Sequence, residues 1–242
     1  MDKALVAAQG VKKVFRTGDI AVEALRGIDL EIGSGEFMAI VGPSGSGKTT
    51  LLNLVGALDV PTSGRIALFD RDLGKLSRSE RAELRLRSLG FVFQAYNLVP
   101  VLTARENVEF VLELQGMEPK KRRARAEETL TELGLGELAD RRPSQMSGGQ
   151  QQRVAVARAV ASRPGLVLAD EPTANLDSDN AQALLEMMRR LRDEMGMTFV
   201  FSTHDPLVVS YASRVVTLRD GEVLASTLSS AETSDERKSA CD

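Results

Sequence analysis

Eight consecutive residues, Gly42-Pro43-Ser44-Gly45-Ser46-Gly47-Lys48-Thr49, fit the spacing G-x-x-x-x-G-K-[ST], with Thr50 following. That spacing suits a polyphosphate. The glycines let successive backbone N–H groups turn inward around phosphate oxygens. A helix opening at the end of the loop adds unpaired donors and the positive end of its dipole. Lys48 can reach β- and γ-phosphates, and the Thr49 hydroxyl can ligate Mg²⁺. A glycine-rich turn with no ligand is the bland alternative. The loop's position after an apolar run and before a helical pattern argues against it.

A second group of residues supplies charge. Leu166-Val167-Leu168-Ala169 is a short apolar run ending in Asp170-Glu171. A carboxylate at the C-terminal end of a strand, such as Asp170, sits where ligands gather in open parallel sheets and can hold Mg²⁺ through water. Glu171 points elsewhere and can polarise a water for in-line attack on a γ-phosphate. Alone, Asp-Glu at a strand end reads equally as a solvated turn. Ser147-Gly148-Gly149-Gln150-Gln151 precedes a predicted helix over residues 152–161 and offers a second anion-seeking helix tip. Its plain reading is an N-cap serine with a glycine turn. His204 is the sole histidine. It reads as an ordinary surface or core histidine, or as a site residue just beyond a strand at 198–201.

These residues need a scaffold. Residues 6–15 and 24–32 read as strands, as do 36–41, 65–69, 89–93, 166–169, 198–202, 214–218 and 222–225. Helices are expected near 47–58, at 77–87 with Ser79 as N-cap, and at 178–195. From about residue 103 to 158 helical patterns dominate, broken at 116–119 and 134–136. Alternating strands and helices argue for an α/β core with a largely parallel sheet. The expected organisation is one domain over residues 1–225. Its core covers about 1–94 and 162–225, and an inserted helical subdomain covers about 95–161. A polar tail follows at 226–242, with Cys241 in it.

The chain has 242 residues, a net charge of −3, one Cys, one His and no Trp. It carries no multi-histidine or cysteine-rich metal centre and no aromatic platform for single strands. Nucleic acid is not an expected partner. No apolar run is long enough to span a bilayer, so a membrane role would come through a partner.

Taken together, these motifs resemble those of the nucleotide-binding subunits of ATP-binding cassette (ABC) transporters, over about residues 5–225. Ser147–Gln151 resembles the family signature LSGGQ, with Met146 in place of leucine. Gln94, after Phe91-Val92-Phe93, matches the glutamine that senses Mg²⁺ and the membrane partner. Asn175-Leu176-Asp177 matches the D-loop, and His204 matches the switch histidine at the γ-phosphate. Phe15 falls where the family has an adenine-stacking tyrosine; stacking and core packing both fit a phenylalanine there.

The resemblance implies a P-loop NTPase (RecA-like) α/β core with a mostly parallel sheet, an N-terminal antiparallel β part and an inserted α-helical subdomain. It implies ATP and Mg²⁺ as cofactors and Mg-dependent ATP hydrolysis. Glu171, His204, Lys48 and Gln94 would be catalytic, with Thr49, Gln94 and Asp170 at the metal. Two copies would pair head to tail in an ATP-dependent homodimer. Each ATP would then lie between one phosphate loop and the partner's Ser147, Gly148, Gly149, Gln150 and Asp177. An integral membrane permease would be driven from the cytoplasmic side of the inner membrane, with a periplasmic adaptor acting through that permease.

Residues 89–110, with Gln94-Ala-Tyr96-Asn97-Leu98-Val99-Pro100 at their centre, resemble the LolD/MacB/FtsE branch of the family. That branch covers lipoprotein release, macrolide-type efflux and, in the FtsE type, regulation of a membrane partner without transport. Soluble members acting on ribosomes or DNA usually carry tandem cassettes or long inserts, which this chain lacks. Tyr96, Leu98, Val99 and Val101 either form a groove for a partner helix or pack a subdomain boundary. The basic run 120–125 either meets acidic lipid or is a solvated helix face balanced by Glu127 and Glu128.

Overall fold

A computed structural model describes residues 4–18 and 20–228. The chain opens with a long antiparallel hairpin, β1 (Val6–Thr17) and β2 (Ile20–Ile32). With β4 (Ser63–Leu68) and β5 (Arg71–Asp72) it makes a four-stranded sheet in the order β2-β1-β4-β5, antiparallel throughout. The second sheet holds β3 (Phe37–Val41), β6 (Leu89–Val92), β7 (Leu166–Asp170), β8 (Thr198–Thr203), β9 (Arg214–Arg219) and β10 (Glu222–Leu228). Its order is β10-β9-β3-β8-β7-β6, parallel except for the β9–β10 hairpin.

The central strands are buried on both faces, which explains their uninterrupted apolar runs. Alternation still sorts their side chains. Phe37, Phe199 and Phe201 face one hydrophobic cluster, and the Phe37 and Phe201 rings are 4.6 Å apart. Met38, Ile40 and Val200 face the other. On that second face lie α1 (Lys48–Val55) and the antiparallel sheet, through Val6, Ile28, Leu51 and Leu54. On the first face lie α3 (Ala104–Leu114), α4 (Pro119–Glu132), α5 (Gly148–Val160), α6 (Ser178–Met195) and α7 (Pro206–Tyr211). Helix α2 (Arg78–Ser88) packs beside β6. Among the described residues no helix is long and apolar enough to cross a membrane.

Helices α2, α3, α5, α6 and α7 start on side-chain caps, each contributing about 1 kcal/mol. Ser77 with Glu80, Thr103 with Glu106 and Ser147 with Gln150 are reciprocal capping boxes. Asp177 caps α6, which ends on left-handed Gly196.

Several boundaries differ from the sequence reading. The N-cap of α2 is Ser77, not Ser79, because Glu80 completes the box only from Ser77. Helix α5 starts at Gly148, within the signature segment, since its cap tolerates two glycines in the first turn. Strand β2 begins at Ile20, and β10 continues to Leu228, into the expected tail. Both extra stretches are exposed and held by backbone pairing, so no hydrophobic pattern marks them. Helix α7 was not foreseen; an Asp205 cap followed by Pro206 at the first position was its signal. Residues 229–242, with Cys241, lie outside the described residues.

Candidate nucleotide site

The phosphate loop spans residues 42–47 between β3 and α1. Gly42 has φ +156°, and a Cβ there would meet the Leu218 carbonyl oxygen at 2.0 Å. Gly47 caps α1 at φ 101°, and a Cβ there would meet the Ala24 carbonyl oxygen at 2.7 Å. Steric crowding by β2 and β9 therefore demands glycine at both ends of the loop. At Gly45 a Cβ would meet nothing within 4 Å, so the loop's mouth is open. Gly45, Gly47, Lys48, Thr49 and Thr50 line a cavity of about 170 Å³. Ser46 Oγ is buried within the loop without a protein partner. Lys48 Nζ donates to the Gly42 and Pro43 carbonyls at 2.8 and 3.0 Å, drawn over the loop it would serve. Pro43 and Ser44 complete the turn.

Strand order brings the carboxylates to this loop. β3 pairs with β8, and β8 with β7, all parallel, so their C-terminal ends lie side by side. Thr49 Oγ1 stands 3.2 Å from Asp170 Oδ2. A hydroxyl and a carboxylate converging on one point are the hard oxygen donors that Mg²⁺ takes. Glu171, the next residue, has φ +46° and donates its N–H to the Ser202 carbonyl at 2.8 Å. A left-handed conformation costs a non-glycine residue about 1 kcal/mol. Here it turns the Glu171 carboxylate away from Asp170 and toward the end of β8. His204 Nδ1 lies 2.6 Å from Glu171 Oε1, and Thr203 Oγ1 donates to Glu171 Oε2 at 3.0 Å. Glu171 is 17% exposed and His204 is 76% exposed, so the pair has a fixed inner member and an outer member open to a ligand. Thr203 was not singled out from sequence; its adjacency to His204 on a strand end was the only signal.

The remaining motif residues gather beyond the C-terminal end of β6, the strand beside β7. Gln94 follows β6, and its carbonyl accepts from Asn175 Nδ2 at 2.8 Å. Tyr96 and Asn97 have φ 55° and 50°, and the guanidinium of Arg158 on α5 donates to both their carbonyls. Burial pushes the pKa of Arg158 down. The Tyr96 hydroxyl reaches the signature: a Cβ on Gly148 would meet it at 2.8 Å. Gly149 is equally close to Asn180 Oδ1. Asn180 also donates to both carboxylate oxygens of Asp177, holding that acid below the usual carboxylate range. Gln94, the signature and the D-loop are thus tied together through Asn175, Tyr96, Arg158 and Asn180, of which Arg158 and Asn180 were not singled out from sequence. Ser147 and Gln150 cap α5 on this side, while α1 and the phosphate loop belong to the other cluster. The structure therefore brings Lys48, Thr49, Asp170, Glu171 and His204 together, and sets Ser147, Gly148, Gly149 and Gln150 apart from them. Phe15 is 45% exposed on the β1–β2 hairpin, with Lys13 Nζ 5.1 Å from its ring centre, so it is not a core residue.

A groove of about 430 Å³ opens between α2, β6, α3 and α5, with Leu58, Leu86, Phe91, Phe93 and Phe110 among its walls. Of Tyr96, Leu98, Val99 and Val101, left open between partner groove and subdomain boundary, none lines this groove, and Val101 is exposed. Leu98 packs on the inner cluster, Tyr96 faces Gly148, and Val99 is bonded to the buried side chain of Asn107. The 120–125 run is a paired helix face: Arg122 meets Glu109 and Glu113, Arg123 meets Glu127, and Arg125 meets Glu128.

Comparison with known proteins gives the same outline. The profile of the family described as ABC transporter matches residues 25–174. The macrolide export ATP-binding/permease protein MacB of Marinobacter nauticus is 49% identical over 223 residues, covering 92% of this chain and 34% of that protein. An ABC transporter ATP-binding protein of Thermotoga maritima is 47% identical over 213 residues, covering 88% of this chain and 91% of that one. A dimeric structure of the ATP-binding cassette MJ0796, in a post-hydrolysis state bound to ADP and Pi, aligns with a TM-score of 0.86 at 42% identity. That alignment covers 92% of this chain and 98% of the solved one. The chain spans about a third of the length of the macrolide-export relatives it matches.

Proposed function

The chain belongs to the ABC transporter family, as an ATP-binding cassette with ATPase activity, and on that premise we propose that it is the motor of an export, efflux or lipoprotein-release machine whose membrane path is a permease. The observation that carries this reading is the meeting of two pairs beside one phosphate loop. Thr49 converges on Asp170, and Glu171 on His204, at the ends of adjacent parallel strands.

In this reading, backbone N–H groups of residues 44–49 and the start of α1 hold the β- and γ-phosphates. Lys48 Nζ exchanges its two carbonyl acceptors for phosphate oxygens, a charge-assisted and stronger bond. Phe15 stacks on the adenine. Thr49, Asp170 and Gln94 would hold Mg²⁺, which would neutralise phosphate charge when bound. Glu171 accepts a proton from the attacking water as its oxygen bonds to the γ-phosphorus and the bond to the β-phosphate oxygen breaks. His204, bonded to the same carboxylate, orients Glu171 and contacts the γ-phosphate. Lys48 and the loop offset the charge left on ADP.

Because Ser147 belongs to another layer, it serves a second copy. Two chains pair head to tail, and the Ser147 helix tip with Asp177 closes over the partner's γ-phosphate. Loss of that phosphate removes the contact that held the pair, so hydrolysis opens it. The groove beside Phe91 and Phe110 receives an apolar helix of the membrane subunit, on the cytoplasmic face of the inner membrane. A periplasmic adaptor would act through that subunit.

Glu171→Gln tests the core of this reading. Turnover is expected to fall about 10²- to 10⁴-fold, the range for removal of a general base. ATP binding stays, and ATP converts the variant to a dimer visible by light scattering. Unchanged turnover would remove Glu171 from its role.

A further inference from the structure

The apolar groove continues into a polar cavity of about 360 Å³, with Leu58 and Arg85 lining both. The wall of this second cavity is a row of three arginines on one face of α2, Arg78, Arg81 and Arg85, opposite the 57–60 turn. Their spacing aligns them over two turns, about 10 Å. Two are fixed in place by backbone acceptors. Arg81 donates to the Leu76 carbonyl at 2.6 Å, and Arg85 to the Ala57 carbonyl at 2.7 Å.

Among the described residues none of the three has a carboxylate partner within ion-pair distance. The neighbouring acids are engaged elsewhere. Asp59 pairs with Lys13 at 2.7 Å, Glu83 with Arg87 at 2.6 Å, and Glu80 caps Ser77. Burial, and to a lesser extent the charge of Arg81, push the pKa of Arg85 down. Arg105 on α3, by contrast, meets Glu109, Glu127 and Asp140. Three guanidinium groups without a carboxylate partner, lining the polar cavity that continues the groove, favour an anionic occupant.

We propose that this row reads acidic side chains on the membrane partner: the helix that fills the groove lays its apolar face on Leu58, Leu86 and Phe110 and carries carboxylates, one per turn, that pair with Arg78, Arg81 and Arg85. This rests on the groove being the permease contact, as argued above. A helix fits better than a lipid headgroup. One phosphate engages one or two of guanidiniums strung over about 10 Å, whereas carboxylates at successive turns match all three. The row would then select the partner as well as hold it.

The test uses the full chain and membranes of the source organism, stripped of peripheral proteins by high salt. Binding is measured by sedimentation at low and physiological salt. Three comparisons accompany it: the same membranes after protease treatment, protein-free vesicles of the lipids extracted from them, and the variants Arg78→Glu/Arg81→Glu and Phe110→Asp. Thermal melting checks that each variant folds.

The expected result is protease-sensitive, salt-dependent binding, weak binding to vesicles, and a loss of tenfold or more in each variant. Equal binding to vesicles would overturn the proposal in favour of a lipid headgroup. Wild-type binding by Arg78→Glu/Arg81→Glu, with loss in Phe110→Asp, would overturn the arginine row and leave the groove standing. Wild-type binding by both variants, or no binding by the native chain, would overturn the row together with the groove reading.

Discussion

At the scale of single residues, the site is built from positions where one atom decides the geometry. Gly42 and Gly45 separate two effects that a glycine-rich loop usually mixes. A methyl group at 42 would press on the Leu218 carbonyl at 2.0 Å, whereas at 45 it would stand in open space. Gly42→Ala is therefore expected to lower stability by about 3 kcal/mol, at the upper end for overpacking with a backbone shift, and to lose ATP binding with the loop. Gly45→Ala carries only the left-handed penalty of about 1 kcal/mol. It loses ATP affinity because the methyl group occupies the phosphate's approach. Chemical denaturation together with nucleotide titration separates the two, and equal melting of both variants would contradict the loop geometry. Glu171 is the same lesson in a non-glycine residue. Its positive φ sends adjacent carboxylates, Asp170 and Glu171, to different partners.

At the scale of elements, α5 links three features of the site. Its N-terminus carries the signature, its first turn packs on Tyr96 and Asn180, and Arg158 near its C-terminal end holds the backbone of Tyr96 and Asn97. Two opposing terms act on Arg158. Hydrogen bonds to a charged donor contribute about 1.5–3 kcal/mol each, but removing the guanidinium from water costs several kcal/mol. The two nearly cancel, so the role of Arg158 is to fix a conformation rather than to add stability. Arg158→Met is expected to leave the melting temperature within a few degrees of wild type. Amide exchange over residues 95–98 should rise tenfold or more, with Arg158→Lys intermediate because it lacks the planar fork. Unchanged exchange in that segment would sink the idea.

At the scale of the whole molecule, the phosphate loop and the signature sit on opposite clusters of one chain, which makes the proposed site a shared one. Mixed dimers test the sharing. Lys48→Ala abolishes nucleotide binding in its own loop. Ser147→Arg leaves the loop intact but blocks the partner's. A mixture of the two single variants forms heterodimers in which one composite site pairs a wild-type loop with a wild-type signature, while the other carries both lesions. Measurable ATPase activity should return on mixing two inactive preparations. Mixtures that stay inactive at every ratio would count against composite sites.

The chemistry-bearing segments were legible from the sequence because each is local. The phosphate loop, Asp170-Glu171 and the signature depend on residue types at fixed short spacings, and strands buried on both faces leave uninterrupted apolar runs. The long helix α6, with its apolar periodicity, was legible for the same reason. Tertiary structure alone decided the rest. Strand order, set by long-range pairing of β3 with β8 and β8 with β7, brings Thr49 to Asp170 across 121 residues of chain. The exposed ends of β2 and β10 carry no hydrophobic signal, since backbone pairing holds them. The residues after Gln94 were left open between groove and boundary because apolar side chains there look alike whether they face a partner or the core. Packing sent Leu98 inward and left Phe110 exposed, and the separation of phosphate loop from signature came from the side of the sheet each helix covers.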